Sequence, residues 1–388
     1  MSAIGRQITV VAAPVQLFFL TDSTLAVGML GLVQFPALLL GSLLGGTLAD
    51  AVDRRRLLMG TQVFLATTTA GLAVNAGLDT SRVWPIFLFT ALNAFFAGID
   101  SPARQSIIPR LVTARLLPAA LALNVLFFQT AHAVGPAIGG IVIARLSFAW
   151  AFWIDTATFG AALLAMVFMV PVPPPEGGTR PGFRSLLEGL SFLRKKPAIK
   201  GAFLIDINAM VFGMPRALFP ELGLSVFGGD AAIVGFLYAA PGVGAMVASF
   251  TSGWVGRIRR AGVAATTAVV AWGLAIAGFG FTTSVPLALL FLGFGGAADA
   301  VSAVFRSTIL QLTTPDRLRG RLSAVQTAVV AGGPRLGDAE AGVVATGFGP
   351  QVAAWSGGLA SAFGALAIVH WIPAFRRWVP PERQPSSL

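Results

Sequence analysis

Acidic and basic side chains interrupt several long apolar segments of this chain, and they are the first candidates for chemistry. Asp206, Arg335, Asp338 and Glu340 all lie within such segments. A charged group is costly in a lipid environment, so it usually faces protein or water and marks a path for protons or substrate. The sequence therefore predicts that these four residues exchange protons or hold partners of opposite charge.

Asp206 differs from the other three because its segment brings no basic residue within two helical turns except Lys200 near its start. A carboxyl group without a basic partner in a low-dielectric site binds a proton more readily. We predict that Asp206 takes part in proton coupling or in substrate binding.

Arg335, Asp338 and Glu340 lie three to five positions apart, close enough to interact along one helix. An ion pair there would offset part of the cost of burial. One interpretation is a structural pair that holds this helix to its neighbours, and the other is a role in coupling. The residues alone leave both open.

Other polar residues in apolar segments have two interpretations each. His132 could titrate near neutral pH, or it could form a hydrogen bond between helices. Arg216 could attract an anionic substrate, or it could pair with Glu221, which we favour. The remaining candidates for a substrate cavity are Asn93, Asn208 and Asp299.

The composition is typical of a polytopic membrane protein. Hydrophobic residues make up 55% of the chain, charged residues 11%, and the mean hydropathy is +0.79. Such a composition leaves too little polar surface for a soluble globule of this length. The chain has no cysteine and two histidines. Disulfides and thiolate metal sites are therefore excluded, and we expect neither a metal nor a cofactor.

Long uncharged runs predict twelve membrane-spanning helices, since about 20 residues cross a bilayer. The first has only 18 residues and is short for a span. A turn at Thr282 to Pro286 divides the longest run into two helices. The predicted ranges are 3–20, 24–49, 57–78, 83–101, 116–144, 147–171, 199–219, 231–254, 261–281, 284–305, 322–348 and 350–373.

The net charge of +11 is explained by the way the basic residues are distributed between the two sides of the membrane. With both termini cytoplasmic, 22 of the 27 Lys and Arg fall on one side of the membrane, in clusters that include Arg54 to Arg56, Arg104 and Arg306. The opposite loops hold only Arg82 and Arg145, as the positive-inside rule requires. We therefore expect a multi-pass protein of the cytoplasmic membrane that does not bind nucleic acid.

The chain repeats itself. The residues from Arg104 to Ala122 align with those from Arg306 to Ala324 at a constant offset of 202. This repeat predicts an all-α protein of two six-helix bundles with a cavity between them. The expected boundaries are 1–171 for the first bundle, 172–198 for a linker with an amphipathic helix, 199–375 for the second bundle and 376–388 for a cytoplasmic tail.

A glycine-rich run followed by charges lies between the second and third predicted helices. Gly46, Asp50, Arg54 and Arg55 resemble the loop motif of the major facilitator superfamily, a large family of membrane transporters. The resemblance implies the major facilitator fold and a gating role. Asp50 would then lie near the start of helix eleven and hold the outward-facing state closed.

The fifth predicted helix contains a second motif. Gly135, Pro136, Gly139 and Gly140 resemble the antiporter motif of drug exporters in this superfamily. The alternative is a generic packing face, which explains the glycines but not the proline. We expect the three glycines to form a face on which the opposite bundle closes.

The resemblance extends over nearly the whole chain and is greatest to the branch of enterobactin exporters and related multidrug exporters, on segments 102–109 and 332–342. It implies secondary active export of a siderophore-like or drug-like small molecule. The expected partners are that molecule, protons and the lipid bilayer, and the chain is expected to be a monomer. The superfamily's arginine in the fourth helix is missing, because Arg104 is expected beyond that helix.

Three classes of function remain. A proton antiporter explains the repeat, the motifs and the buried acids. A passive facilitator or lipid-handling protein of the same fold would need no titrating acid. A membrane enzyme is the third, but the acids of Asp50 and Asp53 lack the further residues that diphosphate chemistry needs. The chain has no phosphate-binding loop for ATP. We expect a transporter and not an enzyme.

Overall fold

The structure is a computed structural model that describes residues 2–169 and 196–380. These residues form the twelve long helices that the apolar runs predict. The helices are α1 (Ser2–Thr21), α2 (Thr24–Ala51), α3 (Arg54–Gly77), α4 (Val83–Leu111), α5 (Leu117–Arg145), α6 (Phe148–Val167), α7 (Pro197–Phe212), α8 (Ala231–Phe250), α9 (Ala261–Phe281), α10 (Val285–Thr313), α11 (Asp316–Phe348) and α12 (Pro350–Trp371). The predicted amphipathic helix of the linker lies outside the described residues.

Capping side chains begin several helices where the sequence places a short polar residue. Ser23 accepts a hydrogen bond from the backbone N–H of Ala26 at the start of α2. Asp53 caps α3 through the N–H of Arg56. These oxygens satisfy donors that the first helical turn leaves unpaired, so the tight turns at the bundle ends follow from local sequence.

In the described part, eleven of the twelve helices are long and apolar enough to cross a membrane, when α7 is counted together with the short helical turns that continue it to Val226. The exception is α11, which contains Arg335, Asp338 and Glu340. The first helix has 20 residues, as many as α6 and α8, and is slightly longer than its uncharged run.

Two helices continue well past their predicted ends. α4 runs to Leu111 and α10 to Thr313, although the predicted helices stop at 101 and 305. A helix does not have to end where charge begins, because backbone hydrogen bonds continue outside the apolar region. Arg104 and Arg306 therefore lie inside α4 and α10, and not beyond them as the predicted helix ends required.

The two halves pack their helices in the same way. In the first half α1 contacts α5 and α6, α2 contacts α4, and α3 contacts α4 and α6. In the second half α7 contacts α11 and α12, α8 contacts α10, and α9 contacts α10 and α12. The sequence repeat is thus a structural repeat, and the prediction of two six-helix bundles is confirmed.

Two seams join the bundles, one between α2 and α11 and one between α5 and α8. Glycines allow backbone contact in both. A Cβ atom added to Gly342 would lie 3.0 Å from the backbone oxygen of Thr24, and one added to Gly140 would lie 2.7 Å from the Cα of Gly235. These residues lie near the turn between α1 and α2, which we name the closed end.

The opposite end, next to the turn between α2 and α3, is open. Residues 117–129 of α5 are exposed on most faces, including Leu121 at 45% and Val125 at 60%. Both also line a cavity that adjoins the bundle interface. The bundles therefore meet at the closed end and separate toward the open end.

Candidate functional site: a charged cavity between the bundles

A central cavity of about 390 Å³ lies between the two bundles. Its charged lining residues are Arg6 from α1, Arg216 from the turns after α7, and Arg335 and Asp338 from α11. Asn93 of α4 lines it as well, and most other lining residues are apolar. Three arginines and one acid thus converge from both bundles on one space.

Two further cavities adjoin the first. One of about 190 Å³ also contains Arg216 and Tyr238, and adds His132, Asp299 and Trp272. The other, of about 510 Å³, shares Arg6 with the central cavity and extends toward the open end. The three cavities share lining residues and therefore lie next to one another.

Asp206 has a basic partner, so the predicted isolation of this acid is wrong. Arg306 Nη2 lies 3.0 Å from Asp206 Oδ1 and 3.3 Å from Asp299 Oδ1. Arg306 Nη1 also donates a hydrogen bond to Ser302 at 2.8 Å. The side chains of Asp206 and Arg306 are each 7% exposed. The partner comes from α10, which the residues of α7 alone could not indicate.

The first bundle has its own charged cluster. Asp100 of α4 accepts a hydrogen bond from Arg104 Nε at 2.9 Å and others from Thr61 and Gln62 of α3. Arg6 Nη2 of α1 lies 4.0 Å from Asp100 Oδ2. The predicted absence of an arginine from the fourth helix is therefore wrong, because Arg104 lies within α4 and is paired there.

The two clusters occupy equivalent places in the repeat. Arg104 and Arg306 are equivalent at the offset of 202, and so are Asp100 and Ser302, which contact them, whereas Arg6 aligns with Asn208 and not with Asp206. The first cluster has two bases and one acid, while the second has two acids and one base. The first cluster thus carries surplus positive charge and the second surplus negative charge when all groups are ionised.

The predicted ion pair within α11 does not form. Asp338 Oδ1 accepts a hydrogen bond at 3.0 Å from the backbone N–H of Ala217, which lies in the short turns after α7. Arg335 donates to the backbone oxygen of Ala331 at 2.5 Å. Glu340 is half-buried and does not line the cavities described above. Asp338 therefore stabilises a neighbouring backbone segment instead of pairing on its own helix.

Arg216 does not pair with Glu221, which corrects the favoured interpretation. α7 ends at Phe212 because Gly213 and Pro215 interrupt it, and Arg216 begins a short 3-10 turn. Glu221 instead accepts a hydrogen bond from Thr24 of α2. Arg216 is left lining the central cavity and its neighbour.

His132 forms hydrogen bonds on both ring nitrogens. Nδ1 lies 2.9 Å from the backbone oxygen of Phe128, and Nε2 lies 3.0 Å from the side-chain nitrogen of Gln7. A carbonyl oxygen can only accept, so Nδ1 carries the hydrogen and Nε2 accepts from the amide of Gln7. The contact joins α5 to α1, as the hydrogen-bond interpretation expects, and His132 also lines a cavity.

The glycines of the antiporter-like motif in α5 pack against two different helices, α1 and α8. Cβ atoms added to Gly135 and Gly139 would lie 2.5 Å from Gln7 Cβ and 3.0 Å from Ile8 Cα, so these glycines pack on α1 of the same bundle. Gly140 and the carbonyl of Pro136 contact Gly235 of α8 in the other bundle. The prediction that all three glycines face the opposite bundle is thus wrong for Gly135 and Gly139, which lie on the other face of the helix.

The gating loop is described only in part. Gly46 is half-buried on α2, and Arg54 is buried. Arg55 donates hydrogen bonds to the backbone oxygens of Met166 and Val167 at the end of α6. The side chain of Asp50 and those of its expected partners Arg317, Arg319 and Arg321 lie outside the described residues, so the gate stays a prediction.

The two predicted asparagines lie in different places. Asn93 donates to Thr68 at 3.1 Å and lines the central cavity. Asn208 donates to the backbone oxygen of Ser361 at 2.8 Å and so joins α7 to α12, away from the cavity lining. Asp155, another buried acid, accepts from Thr9 at 2.5 Å and joins α6 to α1.

Comparison with known proteins identifies the family. The sequence profile of the transmembrane secretion effectors, a group of the major facilitator superfamily, matches residues 1–380. The chain belongs to this family. It is 31% identical to the enterobactin exporter EntS of Shigella boydii serotype 18 over 358 residues, which are 92% of this chain and 85% of that protein. It is 30% identical, with the same coverage, to the enterobactin exporter EntS of Escherichia coli O81.

Solved structures share the fold of this family member. A variant of the nucleoside transporter NupG superposes with a TM-score of 0.75 at 15% identity, covering 95% of this chain and 97% of that one. A D-xylose-proton symporter gives 0.71 at 16% identity and covers 97% of each chain. The protein is thus a multi-pass membrane protein of the major facilitator fold, and its relatives are transporters.

Proposed function

We propose that this protein exports small molecules across the cytoplasmic membrane in exchange for protons. The observation that carries the proposal is the buried cluster of Asp206, Asp299 and Arg306 beside a cavity between two bundles. A chain of this fold that exposes the cavity to each side in turn needs no cofactor, and we infer that it acts as a monomer.

The distribution of basic residues supports an inward-facing orientation. Arg54, Arg55 and Arg56 lie at the open end, whereas the loops at the closed end hold Arg82 and Arg145. Basic loops remain in the cytoplasm. The open end then faces the cytoplasm, with both termini on that side, and the cavity is ready to receive cargo from inside the cell.

The cluster in the second bundle is suited to carry the exchanged proton. Two carboxylates share one guanidinium, so a proton on either acid leaves a balanced ion pair, and its loss restores a surplus negative charge. Asp299 lines a cavity and so gives the cluster a route to water, while Asp206 lies behind it on α7. Asp338, Arg335, Glu340 and His132 are further candidates for coupling, of which Asp338 lines the central cavity.

The substrate we propose is siderophore-like or drug-like. The relatives at 30 to 31% identity are enterobactin exporters, and the cavities combine apolar walls with Asn93, Arg216 and Asp299 as polar contacts. A largely apolar cavity with a few convergent polar groups is typical of small-molecule sites.

Asp206→Asn should abolish proton-driven efflux and leave substrate exchange down its own gradient. The amide resembles the protonated acid but cannot release a proton. Efflux against a gradient and equilibrium exchange are measured in proteoliposomes, with a substrate found by accumulation assays across siderophores and drugs. Asp79→Asn, in the exposed turn before α4, is the matched control and should behave as wild type. If the Asp206→Asn variant still concentrates substrate, the coupling site is elsewhere.

The alternative is a passive facilitator or lipid-handling protein of the same fold. The unlike compositions of the two charged clusters argue against it, because a facilitator has no need of a surplus buried acid in one bundle. A transport rate that does not respond to a pH gradient in wild-type protein would favour this alternative.

A further inference from the structure

We propose that the central cavity binds anionic aromatic molecules. An acidic group of the ligand would contact Arg216 and Arg335, and its aromatic part would lie in the adjoining cavity beside Tyr238 and Trp272. The inference names the substrate class of the proposed exporter and rests on that function only in treating the bound molecule as cargo.

The charge balance of the cavity is the first argument. Its lining has Arg6, Arg216 and Arg335 but only one acid, Asp338. One oxygen of Asp338 already accepts a hydrogen bond from the N–H of Ala217. The cavity therefore carries surplus positive charge in a region where a low dielectric strengthens attraction to an anion.

Asp338 is close enough to attract both Arg216 and Arg335, but it forms a salt bridge with neither. Within residues 2–169 and 196–380, no carboxylate oxygen lies within 4.0 Å of the guanidinium of Arg216 or Arg335. Arg6 lies 4.0 Å from Asp100, but that acid already holds Arg104 at 2.9 Å. A guanidinium offers a planar set of donors that matches the two oxygens of a carboxylate.

The shape of the cavities is the second argument. Arg216 and Tyr238 line both the central cavity and the one of about 190 Å³. In the smaller cavity the rings of Phe219 and Tyr238 meet edge to face, with centroids 5.0 Å apart, and Trp272 lies on the same lining. A flat aromatic group bonded to an acid could thus place its ring among these side chains while its charge stays at Arg216.

A cationic ligand fits less well. The acids it would need are already engaged, since Asp299 contacts Arg306 at 3.3 Å and Asp338 accepts from Ala217. A cation would also have to approach three arginines. The charges that line the cavity therefore favour an anion over a cation.

Two dyes of similar ring system and opposite charge test the inference. The full chain is placed in lipid nanodiscs, and binding of fluorescein, an anion, and rhodamine 123, a cation, is followed by fluorescence polarisation. We expect fluorescein to bind more tightly than rhodamine 123. Arg216→Gln and Arg335→Gln should each weaken fluorescein binding by about tenfold or more, the scale of a lost hydrogen bond to a charged group.

Matched variants separate charge from folding. Arg216→Lys keeps the charge but loses the fork of donors, so its loss should be smaller than that of Arg216→Gln. Arg145→Gln, at the exposed end of α5, should bind fluorescein as wild type does. Size-exclusion profiles and thermal unfolding show whether each variant is folded.

Tighter binding of rhodamine 123, or fluorescein binding that is the same in folded Arg216→Gln and Arg335→Gln variants, would overturn the inference. Binding needs no ion gradient, so this result is independent of the coupling mechanism. Fluorescein binding that requires both arginines, together with transport that ignores a pH gradient, would uphold the anion site and reject proton antiport.

Discussion

Gly140→Leu should prevent the two bundles from meeting at the closed end and should therefore stop export. A Cβ atom at Gly140 would lie 2.5 Å from the backbone oxygen of Ala231 and 2.7 Å from the Cα of Gly235, so a side chain there displaces backbone rather than a flexible group. Overpacking typically costs about 1 to 3 kcal/mol. A gap of a few kcal/mol separates alternating conformers, so the change is large enough to reverse their populations.

Electron-spin distance measurements can follow this shift directly. The chain has no cysteine, so spin labels can be placed at Leu146→Cys and Phe281→Cys without further changes. Leu146 directly follows α5 and Phe281 ends α9 in the other bundle, and the two residues are 61% and 67% exposed. The distance between the labels should lengthen in the Gly140→Leu protein.

A glycine with room around it provides the control. Gly160 of α6 has nothing within 4 Å of an added Cβ, so Gly160→Leu should keep the short distance and normal export. Gly139→Leu should act through α1 of its own bundle and lower stability without opening the seam. An unchanged distance in Gly140→Leu would show that the seam tolerates the side chain and does not govern closure.

Arg306→Gln should destabilise the protein by about 3 to 5 kcal/mol, the usual cost of removing one partner from a buried ion pair. Asp206 would be left almost fully buried without its cation, and Asp299 would lose the same contact. Thermal unfolding in detergent measures the effect. The loss should be smaller at acidic pH, because protonation of Asp206 removes its uncompensated charge.

The double variant Arg306→Gln with Asp206→Asn tests the cause. Replacing the acid by its neutral amide removes the unpaired charge, so the double variant should be more stable than Arg306→Gln alone. If the two losses simply add, the arginine stabilises the helices by packing and not through Asp206.

The helices could be predicted from sequence, but the partners of buried charges could not. Apolar runs and short polar caps are local, so they locate helices such as α2 and α3. The ion pair of Asp206 and Arg306 joins α7 to α10, across 100 positions of the sequence. The predicted tenth helix ended at residue 305 and therefore left Arg306 outside it, whereas the observed helix continues to Thr313. Extending the predicted helix by a single residue would have placed Arg306 inside it.

The glycine motif shows the same limit. Its spacing correctly indicated close helix packing on α5, since Gly135, Gly139 and Gly140 all meet neighbouring atoms. Gly140 follows Gly139 by one residue, which is about 100° around the helix, so the two glycines face different neighbours. Only the assembled bundles show which neighbour belongs to which face.

The anion site and the proton exchange have a joint consequence for the driving force. Export of an anion and import of a proton both move positive charge inward. The membrane potential therefore assists both steps, by about 2.3 kcal/mol per elementary charge per 100 mV. Export should be faster with an inside-negative potential than with the potential clamped at zero.

Accumulation driven by a pH gradient alone tests proton antiport most directly. Proteoliposomes are prepared with an acidic lumen, and valinomycin with equal potassium on both sides holds the membrane potential at zero. We predict that wild-type protein concentrates fluorescein in the acidic lumen, against the direction in which a weak acid distributes passively, and that the Asp206→Asn variant does not. Equal concentrations on both sides with the wild-type protein, or the same accumulation in the variant, would contradict the account.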